Sequence, residues 1–112
     1  YNRSHMSKRP KFEIIYAPII KVHLRAIAAK YYSLIRDAIE LRLLIDPDTE
    51  TRNRKPLKRP STFGATWELR FGPDNCFRVL YKVNLVERQV EVLAIGEKKG
   101  ERFMIGGEEI EL

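Results

Sequence analysis

Three consecutive runs in which apolar residues recur at every second position constrain the fold of this chain more than any other feature. The first run covers residues 66–71 and alternates strictly, the second covers residues 77–83 and the third residues 90–96. An apolar residue at every second position is typical of a strand with one buried face, and the sequence Gly72-Pro73-Asp74-Asn75 between the first two runs is typical of a tight turn. Because short connections join the runs, we expect a meander of three antiparallel strands.

The register of the first hairpin follows from matching its apolar faces, since a slip of one residue would turn every side chain over. Pairing Leu69 with Val79 keeps the apolar faces together and places Arg70 directly opposite Arg78. The exposed face of the meander should therefore carry two arginines side by side, with Glu68 next along.

The second hairpin pairs Val83 with Val90 by the same reasoning. Continued along both strands, this register places Arg78 opposite Ile95, close to the strand end that leads to Lys98. The third strand is expected to end near Gly96.

The N-terminal half predicts one strand and two helices. Residues 11–16 are rich in β-forming residues and predict an opening strand, and Pro18 suits the first turn of a helix. A stripe at helical spacing predicts the first helix, and a wider stripe over residues 34–45 predicts a second helix that is buried on much of its circumference. The break between the two helices is expected at residues 31–33. The first stripe consists of Ile20, Leu24, Ile27 and Tyr31.

Residues 46–65 show no periodicity and contain three prolines, which predicts a long connection. Five basic residues lie within it, and they are candidates for contact with a nucleic-acid backbone or for a solvated loop. These five residues are Arg52, Arg54, Lys55, Lys58 and Arg59. The tail from residue 97 to residue 112 is charged and is compatible with either a small hairpin or a frayed end.

These elements predict an α+β domain, with an N-terminal strand and two helices packed on an antiparallel sheet of about four strands. The sequence Ser4-His5-Met6 resembles a cloning scar, so residues 1–5 are expected to be a tag remnant and residues 6–112 a single domain. No apolar run approaches the roughly 20 residues that cross a bilayer, and no signal-peptide pattern opens the chain. A cytoplasmic protein with no membrane partner is the resulting expectation.

The charge balance indicates the class of partner. The chain has 21 Lys and Arg against 15 Asp and Glu, a net charge of +6. A polyanion such as RNA or DNA, or an acidic protein, would complement this charge. Within the predicted sheet, Arg70 and Arg78 together suit a phosphate, because each guanidinium can donate two parallel hydrogen bonds to it; two solvated surface arginines are the alternative.

Other kinds of site have little support. Outside the expected tag remnant there is one histidine, His23, and the chain has one cysteine, Cys76. These residues do not make a metal site or a Ser-His-Asp arrangement, and nothing near Cys76 in the sequence marks a catalytic base. We therefore expect no metal and no cofactor.

The ordered set of motifs in residues 12–99 resembles the RelE/ParE family of bacterial toxins, which are the toxin halves of type II toxin–antitoxin pairs. The motifs are Arg54-Lys55-Pro56-Leu57, Trp67-Glu68-Leu69-Arg70-Phe71, Phe77-Arg78-Val79-Leu80-Tyr81-Lys82-Val83 and Val90-Glu91-Val92-Leu93-Ala94-Ile95-Gly96. The resemblance implies the same strand, helices and antiparallel sheet. It also implies a cognate antitoxin as partner, and either the ribosome with its mRNA or DNA gyrase as target.

In RelE-like members, which cleave mRNA in the ribosome without a metal, a ribose 2′-OH attacks the adjacent phosphate. The resemblance implies that Arg78 supports this phosphate, and that Arg70 and Lys98 are the further basic residues of the site. A lysine of the family pattern is replaced by Glu68, which could act as a base although its arginine neighbour would weaken it. The C-terminal tyrosine or histidine of relatives falls near Phe103 or Met104, neither of which transfers protons.

Three functions remain open at this point. The leading one is a ribosome-dependent mRNA interferase, a metal-independent endoribonuclease in which Arg78, Arg70, Lys98 and Glu68 form the catalytic set. The second is a gyrase-poisoning toxin of the ParE type. The third is a catalytically weak member that acts through antitoxin binding and operator repression.

Overall fold

The computed structural model describes residues 10–59, 61 and 63–111. The expected tag remnant at residues 1–5 lies outside the described residues. The strands are β1 (Glu13–Tyr16), β2 (Arg54–Pro56), β3 (Trp67–Phe71), β4 (Phe77–Asn84), β5 (Gln89–Lys99), β6 (Arg102–Ile105) and β7 (Glu108–Glu109). The helices are α1 (Ile20–Arg25) and α2 (Tyr32–Arg42), with 3₁₀ turns at Ala29–Tyr31 and Pro73–Asn75.

The strands form one seven-stranded sheet in the order β2-β3-β4-β5-β6-β7, and β1 adds to β5 in parallel. The predicted α+β architecture is confirmed, but the expected number of about four strands is wrong. The additional strands are β2, which lies in the basic connection, and β6 and β7, which form a hairpin in the charged tail. These short strands have no apolar alternation of their own, since β2 reads Arg-Lys-Pro and β7 reads Glu-Glu.

The register of the meander follows the prediction except at one point. Arg70 pairs with Arg78, and Leu69 with Val79, but Arg78 lies opposite Gly96 and not opposite Ile95. The difference arises because the register shifts between Leu80 and Tyr81. One extra residue on β5 makes a β-bulge there, and a bulge displaces every later pair by one residue. The third strand also continues past Gly96 to Lys99.

The helices differ from the prediction in where they break and in how much they bury. Chain direction changes at Ala28, whose extended backbone (φ −59°, ψ 134°) ends the helical path before Tyr31, and Tyr32 already belongs to α2. Within α2 the buried residues are Ile35 and Ile39. The expected burial of much of its circumference is therefore wrong: one side of α2 faces the sheet, and Leu41 is 81% exposed.

Apolar side chains pack on both faces of the sheet. The helices cover one face with a cluster that includes Tyr81, whose hydroxyl donates a hydrogen bond to the carbonyl oxygen of Pro47 at 2.7 Å. The opposite face has a smaller cluster, in which the connection before β3 and the β6–β7 hairpin pack over the middle of β4 and β5. Its members are Ala65, Leu80, Ala94 and Ile105, with Leu57, Phe63, Leu93, Phe103 and Ile110 around them.

His23 of α1 completes the hydrogen bonding of β5. Strand β1 pairs with residues 89–92 of β5 and β6 pairs with residues 96–99 of it, so Ile95 falls between these two partners. The backbone N–H of Ile95 donates to Nδ1 of His23 at 3.2 Å. His23 is buried and its ring meets Phe63 edge-on. A neutral imidazole is needed here, because a protonated Nδ1 cannot accept a hydrogen bond.

Acid is expected to destabilise the protein through His23. Burial lowers the pKa of His23 below its ordinary value of 6.5, so below that pH the unfolded chain binds a proton that the folded chain resists. The free energy of unfolding should fall as the pH drops through 6.5 and level off below the folded-state pKa. Urea denaturation of the wild type and of His23→Gln, which keeps an acceptor but does not titrate, tests this. Equal pH slopes for the two proteins would contradict it.

Candidate functional site

Two arginines and one glutamate form a charged cluster on the face of the sheet opposite the helices. Oε1 of Glu68 accepts a hydrogen bond from Nε of Arg70 at 3.0 Å, and its Oε2 lies 3.5 Å from Nη1 of Arg78. Glu68 is only 5% exposed, so its charge is balanced by guanidinium groups rather than by water. Two positive groups and one negative group leave this cluster with a net charge of +1.

The two guanidinium groups differ in how firmly they are held. The side chain of Arg70 is 44% exposed, whereas that of Arg78 is 15% exposed. Cζ of Arg78 lies 5.6 Å from the centroid of the Phe103 ring, a cation–π distance. Within the described residues, Nε of Arg78 is buried without a hydrogen-bond partner. Arg78 is thus fixed between a carboxylate and an aromatic ring but is not fully satisfied by the protein.

Phe103 and Met104 both fall near the tyrosine or histidine position of RelE-like relatives, and the structure places them in different surroundings. Phe103 pairs with Lys98 and contacts Arg78. Met104 pairs with Glu97 and lies beside His23 on the helical side. The residue at the charged cluster is therefore Phe103, whose ring binds a cation but carries no proton to transfer.

Lys98 lies on the same face of β5 as Gly96, the cross-strand partner of Arg78, because alternate residues of a strand share a face. Its cross-strand neighbour on β6 is Phe103, and its side chain is exposed. The backbone N–H of Lys98 donates to the carbonyl oxygen of Cys76 at 2.7 Å. The sheet therefore brings Lys98 to the rim of the cluster, with its charge free to reach an anion in solvent.

The absence of a side chain at Gly96 allows this arrangement. A Cβ atom there would lie 2.6 Å from Cζ of Phe103 and 2.8 Å from the carbonyl oxygen of Met104. Both distances are shorter than van der Waals contact, so only glycine lets β6 approach β5 closely enough to place the ring over Arg78.

The five basic residues of the connection occupy different environments. Strand β2 pairs Lys55 with Glu68 and Arg54 with Leu69. Directly paired residues share a face, so Lys55 lies on the face of the charged cluster and Arg54 on the helical face. Lys55 also lies 3.8 Å from the carboxylate of Glu50. The remaining three basic residues, Arg52, Lys58 and Arg59, are exposed.

Arg54 caps the end of α2. Its Nε donates to the carbonyl oxygen of Thr49 at 2.7 Å, and its Nη1 donates to the carbonyl oxygen of Arg42, the last residue of α2. Carbonyl groups at a helix C-terminus lack partners within the helix, and a cation there also interacts favourably with the helix dipole.

Arg54→Ala is expected to lower the free energy of unfolding by about 1–2 kcal/mol, since it removes two charge-assisted hydrogen bonds. Lys55→Ala is the matched control: the same charge is lost one residue along, and the pair it breaks is exposed and worth little. Chemical denaturation of both variants checks this, and equal stability losses would contradict a capping role for Arg54.

Among the described residues, no group of three or more His, Cys, Asp or Glu side chains is placed to hold a metal ion. No helix in the described part of the chain is long and apolar enough to cross a membrane. Burial, and secondarily the charge of Glu97, raises the pKa of the half-buried Cys76 thiol. A thiol with a raised pKa is a poor nucleophile.

Sequence reasoning did not identify the roles of Phe103, Gly96, Arg54 and His23. The motif Ile95-Gly96 carried a signal for Gly96, because a glycine inside an alternating strand often marks a close approach of another segment. The contact between Phe103 and Arg78 could not be found without knowing that the charged tail folds back as β6.

The fold and the charged cluster together define the class of structure: a two-helix α+β domain that carries paired guanidinium groups on the sheet face opposite the helices. The structure is similar to the crystal structure of the toxin–antitoxin complex RelBE2 from Mycobacterium tuberculosis, with a TM-score of 0.65 and 19% sequence identity. The match covers 81% of this chain and 95% of that chain. It shows a shared fold. No protein-family model and no curated protein sequence matches the chain.

Proposed function

We propose that this chain is the toxin of a toxin–antitoxin pair and that it inhibits translation in the cytoplasm by cleaving mRNA on the ribosome. One observation carries this proposal: Arg70 and Arg78 lie side by side on the sheet face opposite the helices and share a single buried carboxylate. Arginine pairs of this kind bind phosphate groups. The shared fold with the RelBE2 toxin–antitoxin complex supports the toxin part of this proposal.

The chemistry we propose is attack of a ribose 2′-OH on the adjacent phosphate. The new bond to O2′ forms as the P–O5′ bond breaks, which leaves a 2′,3′-cyclic phosphate on one fragment and a 5′-hydroxyl, protonated as it leaves, on the other. Negative charge develops on the phosphate oxygens in the transition state, and donors that are already fixed in place stabilise it without reorganisation. Arg78 meets that requirement because Glu68 and Phe103 hold it. Arg70 and Lys98 would add positive charge at the rim, and Lys55 and the exposed basic residues of the connection would contact the RNA backbone.

One observation favours a second candidate, a catalytically weak toxin that acts by antitoxin binding and operator repression. Phe103 occupies the place near Arg78 at which a proton-transferring side chain is expected from the resemblance. In the interferase, the proton would therefore move to solvent, to a ribosomal group or to Glu68. Without such a path the cluster would bind phosphate but not cleave.

A groove on the helical side supports a protein partner for either candidate. It lies between α1, α2 and the end of β1, and its lining is largely apolar, including Tyr16, Leu24 and Tyr32. Its charged lining residues are two basic side chains, Lys21 and Arg36, and one acidic side chain, Glu40. Exposed apolar grooves with a polar rim mark interaction sites, and an amphipathic, acidic segment of an antitoxin would complement this one.

The test is cleavage of a defined mRNA on purified ribosomes programmed with it, mapped by primer extension. Ribosome-dependent cuts are the expected result. Uncleaved mRNA at high protein concentration, together with normal growth of cells that express the protein without antitoxin, would replace the interferase with the weak, antitoxin-binding candidate. Uncleaved mRNA together with stalled DNA replication and co-purification of gyrase would instead indicate a ParE-like function.

A further inference from the structure

We propose that Glu68 is an internal counter-anion that competes with the RNA phosphate for the two arginines and so sets the affinity of the site. This inference rests on the proposed function, because it concerns how the same site selects its substrate. Glu68 is then a positioning and specificity residue, and the proton moves to solvent or to a ribosomal group instead.

The geometry of the carboxylate carries this proposal. Its two oxygens are divided between the two guanidinium groups, with Oε1 at 3.0 Å from Arg70 and Oε2 at 3.5 Å from Arg78. A phosphate bridging the same pair would present two oxygens in the same way. The Glu68 carboxylate therefore contacts the two arginines in the way that a bound phosphate would, although it is part of the protein.

Because of its negative charge, Glu68 competes with a phosphate for the two arginines and does not only hold them in place. With Glu68 present the cluster has a net charge of +1, and without its charge the net would be +2. Two charges a few ångströms apart interact several times more strongly near a protein surface than in bulk water. A phosphate that approaches Arg70 and Arg78 therefore meets repulsion from Glu68 as well as attraction.

This competition has a consequence for specificity. A polyanion that encounters the cluster by diffusion in solution gains too little binding free energy to displace the carboxylate of Glu68. An mRNA that other contacts already hold at the site brings its phosphate at high effective concentration and can displace it. Glu68 would thus keep the site weakly occupied by free RNA and reserve it for RNA held on the ribosome.

The test is an NMR titration of the isolated protein with inorganic phosphate at low salt, followed on the side-chain N–H signals of the arginines. Glu68→Gln keeps the shape and one acceptor oxygen, and we expect it to tighten phosphate binding about tenfold. Glu91→Gln is the matched control, since Glu91 lies on the same face, 3.5 Å from Lys82, outside the cluster. It should change the affinity much less.

Unchanged or weaker phosphate binding by Glu68→Gln would overturn the proposal. A second measurement needs no variant. In the wild type, the carboxylate carbon signal of Glu68 should shift with the same dissociation constant as the Arg78 signals, and an unmoved Glu68 signal would exclude competition. Neither measurement involves ribosomes, so the result of each is independent of whether the protein cleaves mRNA.

Discussion

Arg78→Ala is expected to reduce the rate of ribosome-dependent mRNA cleavage by about 100- to 1,000-fold, the usual cost of removing one fixed donor to a developing anion. We expect a larger effect at Arg78 than at Arg70 because the side chain of Arg78 is 15% exposed, whereas that of Arg70 is 44% exposed. It is also held by Glu68 and by the ring of Phe103. A donor held in place before the reaction stabilises the transition state more than one that must first be ordered. Single-turnover cleavage on programmed ribosomes measures the loss.

Two further variants make the result specific to Arg78. Arg78→Lys keeps the positive charge beside Glu68 but lacks the planar fork, so an intermediate loss is expected. Lys82→Ala removes a positive charge from the same face of β4, away from the cluster, and should cleave at close to the wild-type rate. Thermal unfolding of each variant separates lost chemistry from lost structure. Wild-type cleavage by a folded Arg78→Ala protein would remove Arg78 from the proposed mechanism.

The parts of the fold that could be predicted are those with a strong local pattern. Residues 67–71 alternate strictly and Phe77, Val79, Tyr81 and Val83 recur at every second position, and matching these apolar faces was sufficient to place Arg70 opposite Arg78. The pairing of Arg78 with Gly96 was missed because the apolar run over residues 92–95 interrupts the alternation of β5 without showing which residue is the extra one.

The parts that could not be predicted depend on contacts between distant segments. Arg54 and Lys55 are adjacent and alike in charge, yet one caps α2 and the other lies on the face of the charged cluster. Their different environments follow from the pairing of β2 with β3. His23 lay outside the apolar stripe of the first helix, and its role depends on a gap in the pairing of β5 that only the full topology reveals.

Gly96→Ala is expected to destabilise the protein by about 3 kcal/mol or more and to disrupt the site at the same time. The added methyl group would lie 2.8 Å from the carbonyl oxygen of Met104 and 2.6 Å from the Phe103 ring. A side chain could rotate away, but a backbone oxygen of β6 cannot move without separating β6 from β5. The ring of Phe103 would then leave Arg78, so cleavage should fall together with stability.

Gly100→Ala is the control within the same hairpin. Gly100 has a positive φ of +63° and open space around its Cβ position, so alanine there adds backbone strain of about 1–2 kcal/mol but no collision. Chemical denaturation gives the two stability losses, and amide hydrogen exchange locates them. In Gly96→Ala, protection should be lost along β6, where residues 102–105 pair with β5. In Gly100→Ala the loss should be confined to the turn, because the strands on either side of it can still meet. Full protection of β6 in Gly96→Ala would mean that the close approach at Gly96 is not what holds Phe103 over Arg78.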